Sequence, residues 1–383
     1  MEIIELVSII SRGEDSEHQF KKNITNIESL TSEMVAFSNG QGGTLLIGVD
    51  DNGLITGLSD DDVRRLNQMI SNVASQRVHP AVNPTTQNII TDGGLILVLS
   101  VPSGNNKPYQ DNSGIFWVKC GADKRRVSSR EEIRRLFQES GLLQADESPV
   151  RNATLADLDI GYFSKFFERR YHKTLQQNGL SLEQTIYNMN LGKNEMLNLT
   201  GVLLFAKNPS DILPAFIVKS GAFSSNTLVT DNYNDSRDIK GKLADIFGQT
   251  INFIVSNLHQ VQNKQSVNSL GEPEIPIMAL EEIVANALIH RDYFVSAPIR
   301  VFVFANRVEV ISPGHLPNNL TVNNIKAGIS NTRNPVLASL ANQILPYRGY
   351  GSGILRVLSV CPDILFEDDR NGNLFKVTFL RKQ

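Results

Sequence analysis

One ordered series constrains this chain more than any other stretch. A helix-forming run, EEIVANALIHRDY (residues 281–293), precedes two β-rich runs in PIRVFVFANRVEVISPG. Two glycine-bearing turns follow, SPGHLP and RGYGSGI, and the second opens an apolar run, LRVLSV. Ile283, Val284, Ala287 and Leu288 suit a buried helix, while Glu282, Asn286 and His290 recur every fourth residue as one polar stripe. A glycine loop entering a helix lets backbone N–H groups approach an anion at the positive end of the helix dipole. Asn286 can give an oxygen to Mg²⁺, since hard cations take oxygen ligands. A carboxylate one turn earlier, Glu282, can orient or deprotonate a water that attacks a terminal phosphate. Taken singly, each feature has a plainer explanation: a polar stripe as an internally bonded helix face, GYGSG as a loop, SPG as a turn. Their joint order favours a nucleotide pocket. His290 and Asp292 are read as structural.

In that order the motifs resemble the ATP-binding domain of the gyrase, heat-shock chaperone, histidine-kinase and MutL superfamily, the Bergerat fold. EEIVANALIH is similar to its N box, ISPGHLP to its first glycine box and RGYGSGI to its lid glycine box. With TRNP included, the series is closer to a divergent branch found in bacterial proteins called putative transcriptional regulators or helicase-like. The resemblance implies ATP and Mg²⁺ as cofactors, with Glu282 catalytic and the Mg²⁺ that accompanies ATP held by Asn286. It implies cofactor contacts at Asn286, Gly314, Arg333, Asn334, Gly349, Gly351, Ser352 and Gly353, with a lid spanning Arg348 to Gly353. Ser312 stands where most of the superfamily has an aspartate that reads the adenine amino group. A serine hydroxyl, a water or a backbone group would take over that task. No G-x-x-x-x-G-K-[ST] occurs, because Gly192-Lys193 and Gly241-Lys242 lack the leading glycine and the following hydroxyl. A helicase motor is therefore not predicted.

The N-terminal third carries its own pattern. TNIESLTSEMVAFSN reads as a helix, with Thr25 and Glu28 spaced as a capping box. GQGG stops it, TLLIGV is a short strand, and DDNG turns the chain back into LITGL. Ser59 with Asp62 caps a second helix, and Ser129 with Glu132 another. The stretch GEDSEHQFKKN…VAFSNGQGGTLLIGVDDNGLITGL resembles the divergent AlbA domain shared with the Schlafen proteins, which implies nucleic-acid binding. Nuclease members of that family gather three acids around a divalent metal. Glu14 matches the first, Gln19 falls at the second, and Asp50 or Asp51 lies near the third. Gln19 is a poor metal ligand and argues against nuclease activity; an alternative site of Glu14, Glu17 and Asp50 stays open. For phosphate contact the candidates are Lys21, Lys22, Lys124, Arg125 and Arg126. The last three lie in KCGADKRRVSSREEIRR, which holds seven cations against three carboxylates.

Composition limits the remaining choices. With 383 residues, several domains are expected. The polar, aperiodic LQADESPVRNATLAD marks a boundary, giving an AlbA-like domain over 1–145, a connecting domain over 146–275 and an ATP-binding domain over 276–383. In the connector, GVLLFAKNPSDILPAFIVKSGAF reads as a strand pair. The expected class is α/β (α+β): a mixed N-terminal domain, a helical and β connector, and a Bergerat-type α/β sandwich. A net charge of -3 gives no global footprint for nucleic acid, so any contact must be local. Two cysteines, no basic leader and no long apolar run predict a cytoplasmic protein without disulfides. The expected function is an ATP-responsive, nucleic-acid-binding regulator, with DNA ahead of RNA and a homodimer among the partners. Turnover of ATP is open, as are a Schlafen-like nuclease and an interaction protein with a degenerate ATP fold.

Overall fold

The computed structural model describes residues 1–228, 233–261, 271–317, 320–347 and 351–381. It divides into two compact units, Met1–Leu143 and Gln144–Gln383. Both are mixed α and β.

The first unit is built on a four-stranded sheet. Strands β1 (His18–Lys21) and β2 (Gly42–Ile47) run parallel, β3 (Thr85–Thr91) and β4 (Gly94–Pro102) form a hairpin, and the order is β1-β2-β4-β3. The Leu45–Ile47 end of β2 is a continuous apolar run because both of its faces are covered. Leu45 and Ile47 face helices α2 (Ile27–Asn39) and α3 (Asp60–Gln76), while Leu46 faces α1 (Ile3–Arg12) through Leu6 and Ile9. The predicted capping box at Ser59 and Asp62 forms. Helix α2 instead starts at Asn26, whose side chain accepts from the N–H groups of Glu28 and Ser29. Thr25 and Asn26 are adjacent capping residues, and spacing alone did not separate them. The return after DDNG makes two isolated bridges, Ile55 to Val49 and Leu58 to Leu95, not a strand. A separate hairpin of β5 (Trp117–Cys120) and β6 (Asp123–Arg126) leads into α4 (Arg130–Glu139).

In the second unit, GVLLF is not a strand. It lies in helix α6 (Leu199–Phe205), which comes after α5 (Ile160–Tyr171) and a short helix over Leu182–Asn188. Asn198 caps α6 by accepting from Gly201 N–H at 2.9 Å, and every residue of the helix is buried. A short run buried on all sides has no amphipathic period, so sequence pattern cannot tell helix from strand.

The main sheet has six strands: β7 (Val218–Ala222), β8 (Asp235–Ile239), β9 (Ile299–Val303), β10 (Arg307–Pro313), β11 (Leu365–Asp369) and β12 (Leu374–Leu380). Their order is β8-β7-β9-β10-β12-β11, with β7 and β9 parallel and the other pairs antiparallel. Two of these strands come from the stretch read as a connector, 146–275, and they share the sheet with strands from 276–383. Alternation along β9 buries Ile299, Val301 and Val303 and leaves Arg300 exposed. The buried face meets α7 (Leu243–Ser256) and α8 (Ile277–His290) through Ile246, Phe253, Ile283 and Val284. Helices α9 (Pro335–Ala341) and α10 (Gly353–Val360) pack against α8. Among the described residues no helix is long and apolar enough to cross a membrane.

Candidate functional site

The polar stripe of α8 faces a cavity of about 130 Å³ in the second unit, and Glu282, Asn286 and His290 all line it. Gly351, Ser352 and Gly353, at the entry to α10, line it too, as do Ser312 and Gly314 at the end of β10. Gly349 and Arg348 lie outside the described residues. Much of the remaining wall is apolar, with Ile283, Val310, Ile325, Ile329, Phe375 and Val377. An apolar slot ending in a few convergent polar groups is the usual form of a small-molecule site.

Glu282 is 6% exposed. Its Oε1 accepts from Asn286 Nδ2 at 3.0 Å, and its Oε2 accepts from Arg356 Nη2 at 2.7 Å. Asn286 Oδ1 has no protein partner among the described residues and remains an oxygen donor for a cation. Gly353 presses on the carboxylate so closely that a Cβ there would overlap Glu282 Oε1. No side chain caps the N-terminus of α10, so its first N–H groups are not taken by one.

His290 Nε2 lies 3.1 Å from the Tyr347 hydroxyl. Burial, with a smaller push from the Arg333 charge, lowers the His290 pKa to about 4, so the ring is neutral. The ring's partner is thus a phenol, in keeping with a structural reading of His290. Ser312 Oγ donates to Ala287 O at 3.2 Å, which ties β10 to α8 and leaves the hydroxyl's lone pairs as acceptors.

The TRNP pair sits behind the cavity, not on its wall. Asn334 is fully buried, and its Nδ2 donates to Ile289 O at 2.8 Å and Arg291 O at 2.9 Å, carbonyls at the end of α8. Arg333 Nη2 donates to His315 O at 2.8 Å and underlies Gly314, where φ is 98° and a Cβ would strike Arg333 and Asp292. Sequence reasoning missed Arg356, Tyr347, His315, Ser330 and Asn331, which line the cavity. For Arg356 a signal existed: it stands three residues beyond Gly353, within the first turn of the helix that the glycine loop opens.

In the first unit, most of the predicted phosphate-binding cations have protein partners. Lys124 Nζ lies 2.6 Å from Glu33, and Lys119 lies 3.0 Å from the same carboxylate, which is 4% exposed. Arg125 pairs with Glu132 at 2.5 Å. Lys21 stands 3.8 Å from both Glu14 and Asp51. Lys22 is exposed, and Arg126 is exposed over the Trp117 ring, 5.1 Å from its centroid.

The acids of the nuclease alternative are engaged separately. Glu14 Oε1 accepts from Phe20 N–H at 2.7 Å, Asp50 Oδ1 accepts from Asn52 and Leu54 N–H, and Glu17 is exposed. Among the described residues no group of three or more His, Cys, Asp or Glu side chains is placed to hold a metal. Gln19 donates from Nε2 to Ala122 O at 2.5 Å and is 5% exposed, a bond a carboxylate could not make.

The family described as Schlafen, AlbA_2 matches residues 14–128. The family described as putative ATP-dependent DNA helicase recG C-terminal matches residues 296–379. The chain carries an N-terminal Schlafen AlbA_2 domain and a recG-C-terminal domain. Comparison with curated proteins finds no match. Among solved structures, the DIP2311 protein from Corynebacterium diphtheriae is similar at 21% identity, over 100% of this chain and 80% of that one, with a TM-score of 0.47. The N-terminal domain of a putative ATP-dependent DNA helicase RecG-related protein from Nitrosomonas europaea is similar at 23% identity, over 34% of this chain and 96% of that one, with a TM-score of 0.24.

Proposed function

We propose that the protein is an ATP-responsive nucleic-acid-binding regulator, whose second unit holds Mg²⁺·ATP in a Bergerat-type pocket. The observation that carries the reading is convergence: the α8 stripe and the glycine loop some seventy residues later meet at one cavity, with Gly353 against Glu282. The donor set suits the cofactor. Asn286 Oδ1 supplies a hard oxygen for Mg²⁺. The α10 N-terminus and Gly351–Gly353 supply N–H groups for phosphates. The apolar wall suits a purine ring, and the Ser312 lone pairs can accept from its amino group. Mg²⁺, when bound, neutralises phosphate charge, and Glu282 positions the water that faces the terminal phosphate.

Nucleic acid is assigned to the Schlafen AlbA_2 domain, with DNA ahead of RNA, and Lys22 and Arg126 are its best-placed phosphate contacts. Regulation requires that nucleotide occupancy alter affinity for nucleic acid, a coupling that runs equally in both directions.

The test is calorimetric titration of the full chain with a non-hydrolysable ATP analogue and Mg²⁺, repeated with Asn286→Ala. Binding lost or much weakened in the variant supports the site. Equal binding by both proteins removes it, and no rise in Tm with millimolar Mg²⁺·ATP favours an interaction protein with a degenerate pocket.

A further inference from the structure

Glu282 is held in a way its proposed role does not require. Both carboxylate oxygens already accept hydrogen bonds, one from Asn286 and one from Arg356 at 2.7 Å. The ion pair is a partition as well as a contact. Glu282, Tyr347 and Arg356 line the cavity described above, and they also line a second one, bounded on its far side by Met278, Asn342 and Leu345. Arg356 Nε is buried without a hydrogen-bond partner, although its side chain is one-third exposed. That N–H is a donor held in reserve beside the pocket. Arg356 also rides on the first turn of α10, directly after the glycine loop, so any movement of that loop carries the guanidinium with it.

Resting on the nucleotide reading, we propose that Arg356 is a triphosphate-reading positioning residue: it latches Glu282 and exchanges that carboxylate for the terminal phosphate. The planar guanidinium fork fits carboxylate and phosphate oxygens alike, so the exchange replaces one charge-assisted bond with another. Asn286 Nδ2 keeps one Glu282 oxygen bonded when Arg356 leaves, and the freed oxygen can receive a water. A diphosphate lacks the group that competes for Arg356 and leaves the latch closed. The latch thereby couples release of Glu282 to the presence of the phosphate on which it acts.

Calorimetric titrations of the full chain with Mg²⁺ and either ADP or a non-hydrolysable ATP analogue test this. They compare wild type, Glu282→Gln, Glu282→Gln/Arg356→Ala and Arg356→Lys, with the Tm of each recorded without nucleotide to establish folding. Using the Gln background avoids leaving a buried carboxylate without its partner. Glu282→Gln should bind the triphosphate several-fold more tightly than wild type. Adding Arg356→Ala should weaken triphosphate binding by roughly tenfold or more, the loss of one charge-assisted bond. Arg356→Lys should keep part of the preference, and ADP affinity should stay level throughout. Equal losses for both nucleotides, or no loss for the triphosphate, overturn the latch and leave the nucleotide site standing. Failure of wild type to bind either nucleotide at millimolar concentration overturns the site and the latch together.

Discussion

Gly353 and Glu282 are seventy-one positions apart, yet the α-carbon of one has no room for a methyl group because of the carboxylate of the other. Gly353→Ala must therefore displace either the glycine loop or Glu282. A loss of about 1–3 kcal/mol in the stability of the second unit is expected, the usual cost of overpacking. Binding of Mg²⁺ with an ATP analogue should weaken in step. Gly248→Ala, in α7 and away from the cavity, where an added Cβ meets nothing within 4 Å, is the control. Chemical denaturation followed by far-ultraviolet circular dichroism measures the first effect and calorimetry the second.

Gln19, buried in the first unit, works as an amide donor to Ala122 O. Gln19→Glu would set a carboxylate against a carbonyl, at about 1–3 kcal/mol for the bond lost and the buried acceptors left facing each other. Trp117 is the only tryptophan and lies in the same unit, so its fluorescence follows this unfolding selectively. A variant as stable as wild type, or one that gains Mn²⁺-dependent cleavage of structured RNA, would contradict this role for Gln19.

Two titratable groups of the second unit, the buried Asp146 and the half-buried His290, should give opposite pH dependences. Burial pushes the Asp146 pKa up to about 6, against hydrogen bonds from the Leu337 and Val336 N–H groups that lower it. The folded state then binds the proton more tightly than the unfolded state, so this contribution falls as pH rises from roughly 4 to about 6. His290 is pushed down to about 4, so the unfolded state binds that proton more tightly. Its contribution rises with pH from about 4 to about 6.5. The two slopes largely oppose each other in wild type. Asp146→Asn should steepen the gain in stability with pH, and His290→Gln should uncover a fall. Urea midpoints at several pH values decide, and parallel curves for all three proteins would count against both assignments.

Arg125 is paired with Glu132, whereas Arg126 rests on Trp117 with its charge facing solvent. Arg126→Ala should weaken nucleic-acid binding without regard to sequence and lower the salt slope by roughly one. Arg125→Ala should change it less. Fluorescence anisotropy with labelled duplex DNA across a salt series makes the comparison, and equal effects would remove the distinction.

How much of this was visible in the sequence depended on the range of each interaction. The α8 stripe and the glycine turns were legible because their chemistry is local: a four-residue period and small residues at a helix entry. Arg356 had only its place three residues beyond Gly353 to mark it, because an arginine on a short helix is ordinarily a solvated one, and only the fold brings Glu282 to it. Charge counting in KCGADKRRVSSREEIRR failed for a similar reason, since the partner of Lys124 is Glu33, ninety-one positions earlier. Asn334 looked like a ligand residue within its motif, and its two carbonyl partners showed it to be a clamp on the end of α8. The helix at Leu199–Phe205 was hidden by its own complete burial, which erases the pattern that separates helix from strand.

The parallel pairing of β7 with β9 has a practical consequence for anyone cutting this chain. A fragment begun at 276, or at 296 where the recG-C-terminal match starts, would lack Val218–Ala222 and leave the backbone of Ile299–Val303 as a bare, apolar margin. Such a margin recruits strands from other molecules. Insoluble expression of that fragment would then reflect a missing neighbour, and the workable cut lies before Gln144.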